Sequence, residues 1–255
     1  MFKRDLTFHK PMMNAAGTLG FAPDFRTLEE IGYLGDFGAF VTNPVSLRPR
    51  TAAAQPNLIE YPGGFLLHTG LPNPGFESVI RKQAHRWKDT SLPIIVHLMA
   101  DRPEETKQMV EALEDLENVM AAELGFAPLL AADILMLTLE MCAGELPLIF
   151  SLPAEQVLSV GPRLIQNGAV AISLAAPRGS LLVDGMLVTG RLFGPSLFPL
   201  ALDIVNSATR LGLPIIGAGG VYSRENADAM LSIGALAVQM DTNLWLPKNK
   251  KDLVT

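Results

Sequence analysis

At 255 residues, 49% of them apolar, and with a formal net charge of −6, the chain can bury one sizeable core but lacks the basic stripe a nucleic-acid surface needs. Its single cysteine, Cys142, excludes an intrachain disulfide or a cysteine-built metal cage and fits a cytoplasmic location. Neither the start, Met1-Phe-Lys-Arg-Asp-Leu6, nor the most apolar segment, 129–142 with Asp133 and Glu140 inside it, reads as a signal peptide or a membrane span.

Apolar runs of strand length recur with helix-length segments between them. They fall at residues 11–15, 39–42, 93–98, 119–124, 147–152, 169–174, 214–217 and 237–240. Most are nearly continuous in apolar residues, as strands covered on both faces should be. Asp101-Arg-Pro-Glu104 has the look of a capping box opening a helix with Met109, Val110, Leu113 and Leu116 on one face. Gly168, Gly212 and Gly234 fall where helices should stop. Residues 133–139 can be read as a strand, but a crossover helix then has no room before the next strand. We therefore read 119–124 as the strand and 130–143 as a helix stopped by Gly144. The stretch from Tyr61 to Gly75 reads as a long glycine- and proline-rich loop, and Leu181 to Val188 as an apolar loop that covers the barrel mouth or meets another subunit.

This β/α alternation in one composition regime predicts an α/β fold, a single (β/α)8 TIM barrel over residues 1–255. Its core runs from about 6 to 244, with a short charged tail at 247–255. Barrels of this kind carry their sites at the C-terminal ends of the strands. Near the end of the chain, Leu213-Pro-Ile-Ile-Gly-Ala-Gly-Gly-Val221 is a buried strand that breaks into glycines before a helix start at Ser223. Such a turn offers bare backbone N–H groups to an anion, and Ala237-Val-Gln-Met-Asp-Thr242 follows as a second strand end beside it.

Several motifs together resemble the dihydroorotate dehydrogenase family. They are Asn14-Ala-Ala-Gly-Thr18, Val41-Thr-Asn-Pro-Val-Ser-Leu-Arg-Pro-Arg50, Gly70-Leu-Pro-Asn-Pro-Gly75, Phe193-Gly-Pro195, Pro214-Ile-Ile-Gly-Ala-Gly-Gly220 and Ala237-Val-Gln-Met-Asp-Thr242, in the family's order and spacing. The resemblance spans about residues 6–244. It implies a (β/α)8 barrel, FMN, oxidation of dihydroorotate to orotate, and dimerisation or a place in a complex. By the same resemblance, Ala16, Gly17, Asn43, Gly194, Gly217, Gly219, Gly220 and Thr242 are the FMN-binding candidates. Arg191 replaces a family glycine and is a candidate for a bidentate phosphate contact, and Asp241 stands where the family has glycine.

Carried over residue by residue, the reactive half of the family site is absent. The lysine near flavin and substrate becomes Asn43 and the loop asparagine becomes Leu67. The family's Glu-Leu-Asn-Ile-Ser-Cys-Pro-Asn reads Glu123-Leu-Gly-Phe-Ala-Pro-Leu129, so the catalytic cysteine falls near Ala127 and its asparagines on Gly125 and Leu129. The lysine facing the flavin becomes Ser151, and a later asparagine becomes Ala176. Cys142, near a helix end, does not replace the lost cysteine.

His68, His97 and Ser151 remain as candidate catalytic groups, with Glu123 the nearest further ligand if the histidines were to hold a metal; no metal site is expected. Arg48 and Arg50 read as loop salt-bridge formers. The leading expectation is a divergent homologue that no longer oxidises dihydroorotate, a non-catalytic or regulatory protein keeping a phosphate- or FMN-type cup. Alternatives are an FMN oxidoreductase with another substrate and a non-redox protein or enzyme for a phosphate-bearing small molecule.

Overall fold

The computed structural model describes residues 6–33, 35–128 and 130–245; the charged tail at 247–255 and Leu129 lie outside them. Eight strands close into a parallel barrel: β1 (Met12–Asn14), β2 (Phe37–Val41), β5 (Ile94–Met99), β6 (Val119–Gly125), β7 (Leu148–Leu152), β8 (Ala171–Leu174), β11 (Ile215–Gly217) and β12 (Ala237–Met240). Each coincides with one of the apolar runs of the sequence. In barrel order they run β1-β12-β11-β8-β7-β6-β5-β2.

Their continuous hydrophobicity has a two-sided cause. One face packs outward against α1 (Phe25–Glu30), α2 (Phe76–Asp89), α3 (Pro103–Glu114), α4 (Ala132–Met141), α5 (Ala154–Gln166), α6 (Phe198–Arg210) and α7 (Arg224–Ser232). The other fills the barrel with Met13, Val41, Ile95, Ala121, Ile149, Ala171, Ile216 and Ala237. These inward residues form a dry plug, sealed at the bottom by Leu6.

Helix boundaries follow local chemistry. Ser223 caps α7 in a reciprocal capping box with Asn226. Gly168, Gly212 and Gly234 sit just beyond α5, α6 and α7 with positive φ. The capping box expected at Asp101 does not form. Arg102 is the N-cap, without a side-chain cap bond, because Pro103 takes the first helical turn, where no N–H is needed. α4 confirms the helical reading of 130–143, though Gly144 does not end it with a positive φ; Glu114 instead accepts from the backbone N–H groups of Glu145 and Leu146.

Two expected loops are strands. β3 (Leu58–Tyr61), β4 (Gly64–Leu67), β9 (Arg178–Val183) and β10 (Met186–Phe193) form an antiparallel sheet of order β3-β4-β10-β9. The first hairpin turns at Pro62-Gly63, with φ +91° at Gly63, and the second at Asp184-Gly185, with φ +49° and +78°. The sheet grows from the segments after β2 and β8, so it stands at the barrel's C-terminal end, and Arg191 of β10 pairs with both Leu67 of β4 and Arg178 of β9. Among the described residues no helix is long and apolar enough to cross a membrane.

Candidate functional site

Inward positions on a strand recur every second residue. One step above the dry plug, Ile95, Ala121, Ile149, Ala171 and Ala237 give way to His97, Glu123, Ser151, Ser173 and Gln239. All five are buried. Parallel registry sets His97 beside Glu123 and Ser151 beside Ser173.

Glu123, 1% exposed, holds this ring together. Its Oε2 meets His97 Nδ1 at 2.7 Å, while Oε1 accepts from Ser173 Oγ at 2.6 Å and Gln239 Nε2 at 2.7 Å. Burial pushes the carboxyl pKa up, but the hydrogen bond and charge of His97, with the bonds from Ser173 and Gln239, outweigh it, and the net shift is downward. An ionised Glu123 fixes the Nδ1–H tautomer of His97 and leaves Nε2 as the ring's open nitrogen. Gly125 makes room for that ring: a Cβ there would stand 2.4 Å from Nε2. The imidazole from the neighbouring strand thus fills the space that a side chain at Gly125 would take.

Two adjoining cavities of about 400 and 490 Å3 open above this floor. His97, Ala16, Ala127, Arg178 and Arg191 border both. Ser151 and Gly219 border the first, and Gly17, Asn43, His68 and Thr242 the second. The structure therefore brings together most of the residues singled out in the sequence. Gly194, Gly217 and Gly220 are outside both linings. Gly217 faces Met230 of α7, and Gly194 lies tight against Gly63 and Gly64 of the first hairpin. Asn43 is engaged with the loop after β1, its Oδ1 accepting from Gly20 N–H at 3.1 Å. Arg50 donates to the Gly70 carbonyl, and neither it nor Arg48 forms an expected salt bridge among the described residues. Among those residues there is also no group of three or more His, Cys, Asp or Glu suited to a metal. Cys142 caps α4 in the outer core, where burial pushes its thiol up to about 11, so it is inert.

Sequence reasoning missed Ser173 and Gln239. The signal was present: each lies two residues beyond an apolar inward position, in step with Glu123.

The glycine turn is the place to test the phosphate cofactor that the resemblance implies. Gly219 and Gly220 both have positive φ, +98° and +68°, a tight turn that only glycine adopts readily and that leaves backbone N–H groups without a side chain over them. Yet Gly220 N–H donates to Asp241 Oδ2 at 3.3 Å, and Thr242 N–H and Oγ1 both bond Asp241 Oδ1. The Thr242 hydroxyl is also 2.7 Å from Tyr222 OH. Asp241 is buried, and burial, only partly offset by those bonds, raises its pKa to about 6. Ionised, it opposes a phosphate at the same donors: two unit charges 4 Å apart repel by about 4 kcal/mol at an effective dielectric of ~20. With these donors committed and serine at the position of the flavin-facing lysine, the residues present do not fit FMN.

In the same cavity lining as Gly219 and Asp241, Arg191 and Arg178 are directly paired across β10 and β9. Burial and the Arg178 charge push the Arg191 pKa down and Glu123 pulls it back, but a guanidinium stays charged under all these influences.

The model of the dihydroorotate dehydrogenase family matches residues 3–125, and that of nitronate monooxygenase matches residues 183–251. The chain is 30% identical over 259 residues to dihydroorotate dehydrogenase B (NAD(+)), catalytic subunit, of Pelobacter propionicus, covering 93% of this chain and 84% of the relative. The subunit of the same name from Geotalea daltonii is 29% identical over 263 residues, 94% of this chain and 85% of its own. In shape, ligand-free DHODH of Eimeria tenella superposes with a TM-score of 0.78 at 13% identity, over 97% of this chain and 82% of that one. The likeness thus runs through the whole barrel and not through one glycine motif, and on that ground this chain belongs to the dihydroorotate dehydrogenase family.

Proposed function

We propose that this family member no longer oxidises dihydroorotate and serves as a non-catalytic or regulatory homologue with a small-ligand site at its barrel mouth. The observation that carries the reading is the closed floor of the cavity. Both Glu123 oxygens are bonded inside the protein, and the strand ends around them offer Ala127 and Ser151 in place of a base and a cation. Dihydroorotate oxidation needs a base for a carbon-bound proton and a positive charge for the reduced flavin. A base alone is worth roughly 10²–10⁴-fold. Alanine supplies none, and His97, which borders the same cavities, is tied through Nδ1 to Glu123. The commitment of Gly220 and Thr242 to Asp241 supports a flavin-free protein in the same direction.

The test is the visible spectrum of the purified chain and its rate of orotate formation with added FMN and an electron acceptor. Colourless protein without orotate formation agrees with the reading. Stoichiometric, dithionite-reducible FMN, or orotate formation at rates usual for the relatives, would overturn it. Assembly as a homodimer or within a complex goes with this proposal, and light scattering on the purified chain reads it.

A second reading, a non-redox enzyme for a phosphate-bearing ligand, is favoured by His97 alone. Its Nδ1 is held 2.7 Å from Glu123, an arrangement that lets Nε2 take a ligand proton while the carboxylate stabilises the resulting charge. Were turnover of such a ligand found, His97→Gln should lower it about 10²–10⁴-fold. Retained turnover would dismiss this reading.

A further inference from the structure

Directly opposed like charges destabilise an antiparallel ladder. Arg178 and Arg191 nevertheless face each other across β9 and β10, on the same face of the sheet, and both border both cavities. Among the described residues neither is in a salt bridge or a side-chain hydrogen bond. The nearby carboxylates form no ion pair with them, although the charge of Glu123 acts on Arg191. Glu123 is bonded to His97, Ser173 and Gln239, and Asp241 to Gly220 and Thr242. Glu155 and Asp101 also border the cavities, one each, and ion-pair with neither arginine. Two guanidiniums side by side at an open cavity mouth form a site for a group carrying about two negative charges and several acceptor oxygens.

The geometry points to an anion site distinct from the glycine turn: Asp241 occupies the backbone cup as a resident anion, and the Arg178–Arg191 pair binds the phosphate dianion of a small ligand. Each half explains the other. A nest whose N–H groups already hold a carboxylate has no donors for a second anion. An arginine pair without an ion-pair partner is completed by an anionic group brought in by the ligand. The site rests on the reading that this mouth binds a ligand without FMN, and it names the chemistry of that ligand.

Inorganic phosphate is the probe, titrated at pH 7.5 into the full chain and followed by calorimetry and by the Arg Nε–H resonances. Wild-type protein should bind it, with the Arg178 and Arg191 resonances moving and those of the Gly220 and Thr242 amides still. Arg191→Ala and Arg178→Ala should each weaken binding roughly ten-fold or more, and Arg191→Lys less than Arg191→Ala. Asp241→Gly should leave this binding intact and open a second site that Arg191→Ala does not remove. Three results would each overturn the proposal: no phosphate bound by wild type, unchanged affinity in both alanine variants, or a wild-type response confined to the Gly220 and Thr242 amides. If a variant fails to fold, the wild-type resonances still decide. Because the titration reads binding without turnover, its failure is distinct from a positive orotate assay.

Discussion

Replacing Glu123 by glutamine separates the two opposing effects on a buried charge. Burial penalises the carboxylate, and removing the charge returns that penalty. Against this stand three hydrogen bonds of 2.6–2.7 Å from His97, Ser173 and Gln239. Bonds to a charged group are worth about 1.5–3 kcal/mol each, against about 0.5–1.5 for neutral ones, so neutralising the acceptor forfeits about 1 kcal/mol per bond. The downward pKa of Glu123 decides which effect wins: the ionised form is favoured in the fold despite its burial. Glu123→Gln should therefore destabilise the protein at pH 7 by about 1–3 kcal/mol, a fall in Tm of roughly 2–12 °C for a chain of this size. A group with a depressed native pKa stabilises above its unfolded pKa and loses that contribution as pH falls through the native value. The gap between wild type and variant should thus close on acidification below about 4.5. The glutamine amide also presents a donor to His97, which should switch from the Nδ1–H to the Nε2–H tautomer. Urea titrations across pH and the ring ¹⁵N shifts of His97 read both effects. A variant as stable as wild type at pH 7, with the tautomer unchanged, would refute the argument.

Asp241 titrates in the opposite sense. With its native pKa raised to about 6 from 3.8, its contribution is full below the unfolded value and is lost as pH rises through 6, about 3 kcal/mol in all. Asp241→Asn keeps an acceptor for Gly220 and Thr242 without the charge, so it should be more stable than wild type above pH 6 and converge with it near pH 4; parallel urea midpoints would count against this. Gly125→Ala sets a methyl 2.4 Å from His97 Nε2 and should cost about 1–3 kcal/mol in the wild type but little when made in His97→Ala, whose own loss of the Glu123 bond remains. Thermal melts of the four proteins, wild type, both single variants and the double variant, check the coupling, and strictly additive losses would show that the ring is not what the methyl meets.

The barrel strands were legible because burial on both faces writes itself as nearly unbroken apolar runs, and the spacing between them favoured crossover helices and a closed barrel over an open sheet. The side sheet was not read, although Asp184-Gly185 between apolar flanks is a strong hairpin signal. Its strands are half-exposed, so Leu182, Met186 and Leu187 face solvent where alternation should have placed polar residues, and the pattern looked like a loop. In the site, His97 and Ser151 were visible as polar residues at strand ends, and the direction of Glu123 was not. That direction depends on registry between strands 26 residues apart, fixed only when His97 and Glu123 pair. The role of Asp241 was hidden for a similar reason. The sequence shows a carboxylate beside a glycine turn, and only the folded backbone shows whether it faces the turn's donors or a ligand's charge.

The two-residue step from Ile95, Ala121, Ile149, Ala171 and Ala237 to His97, Glu123, Ser151, Ser173 and Gln239 separates what closes the barrel from what faces its contents. Substitutions in the upper ring leave the plug below intact, so a lineage can exchange one set of polar groups for another without passing through an unfolded intermediate. The exchange is not free among the ring's own members, however. His97 and Gly125 fit only together, and Glu123 has three partners that would each lose a bond with it. These residues can therefore be exchanged only as a block, so the polar ring is coupled within itself while remaining independent of the plug below.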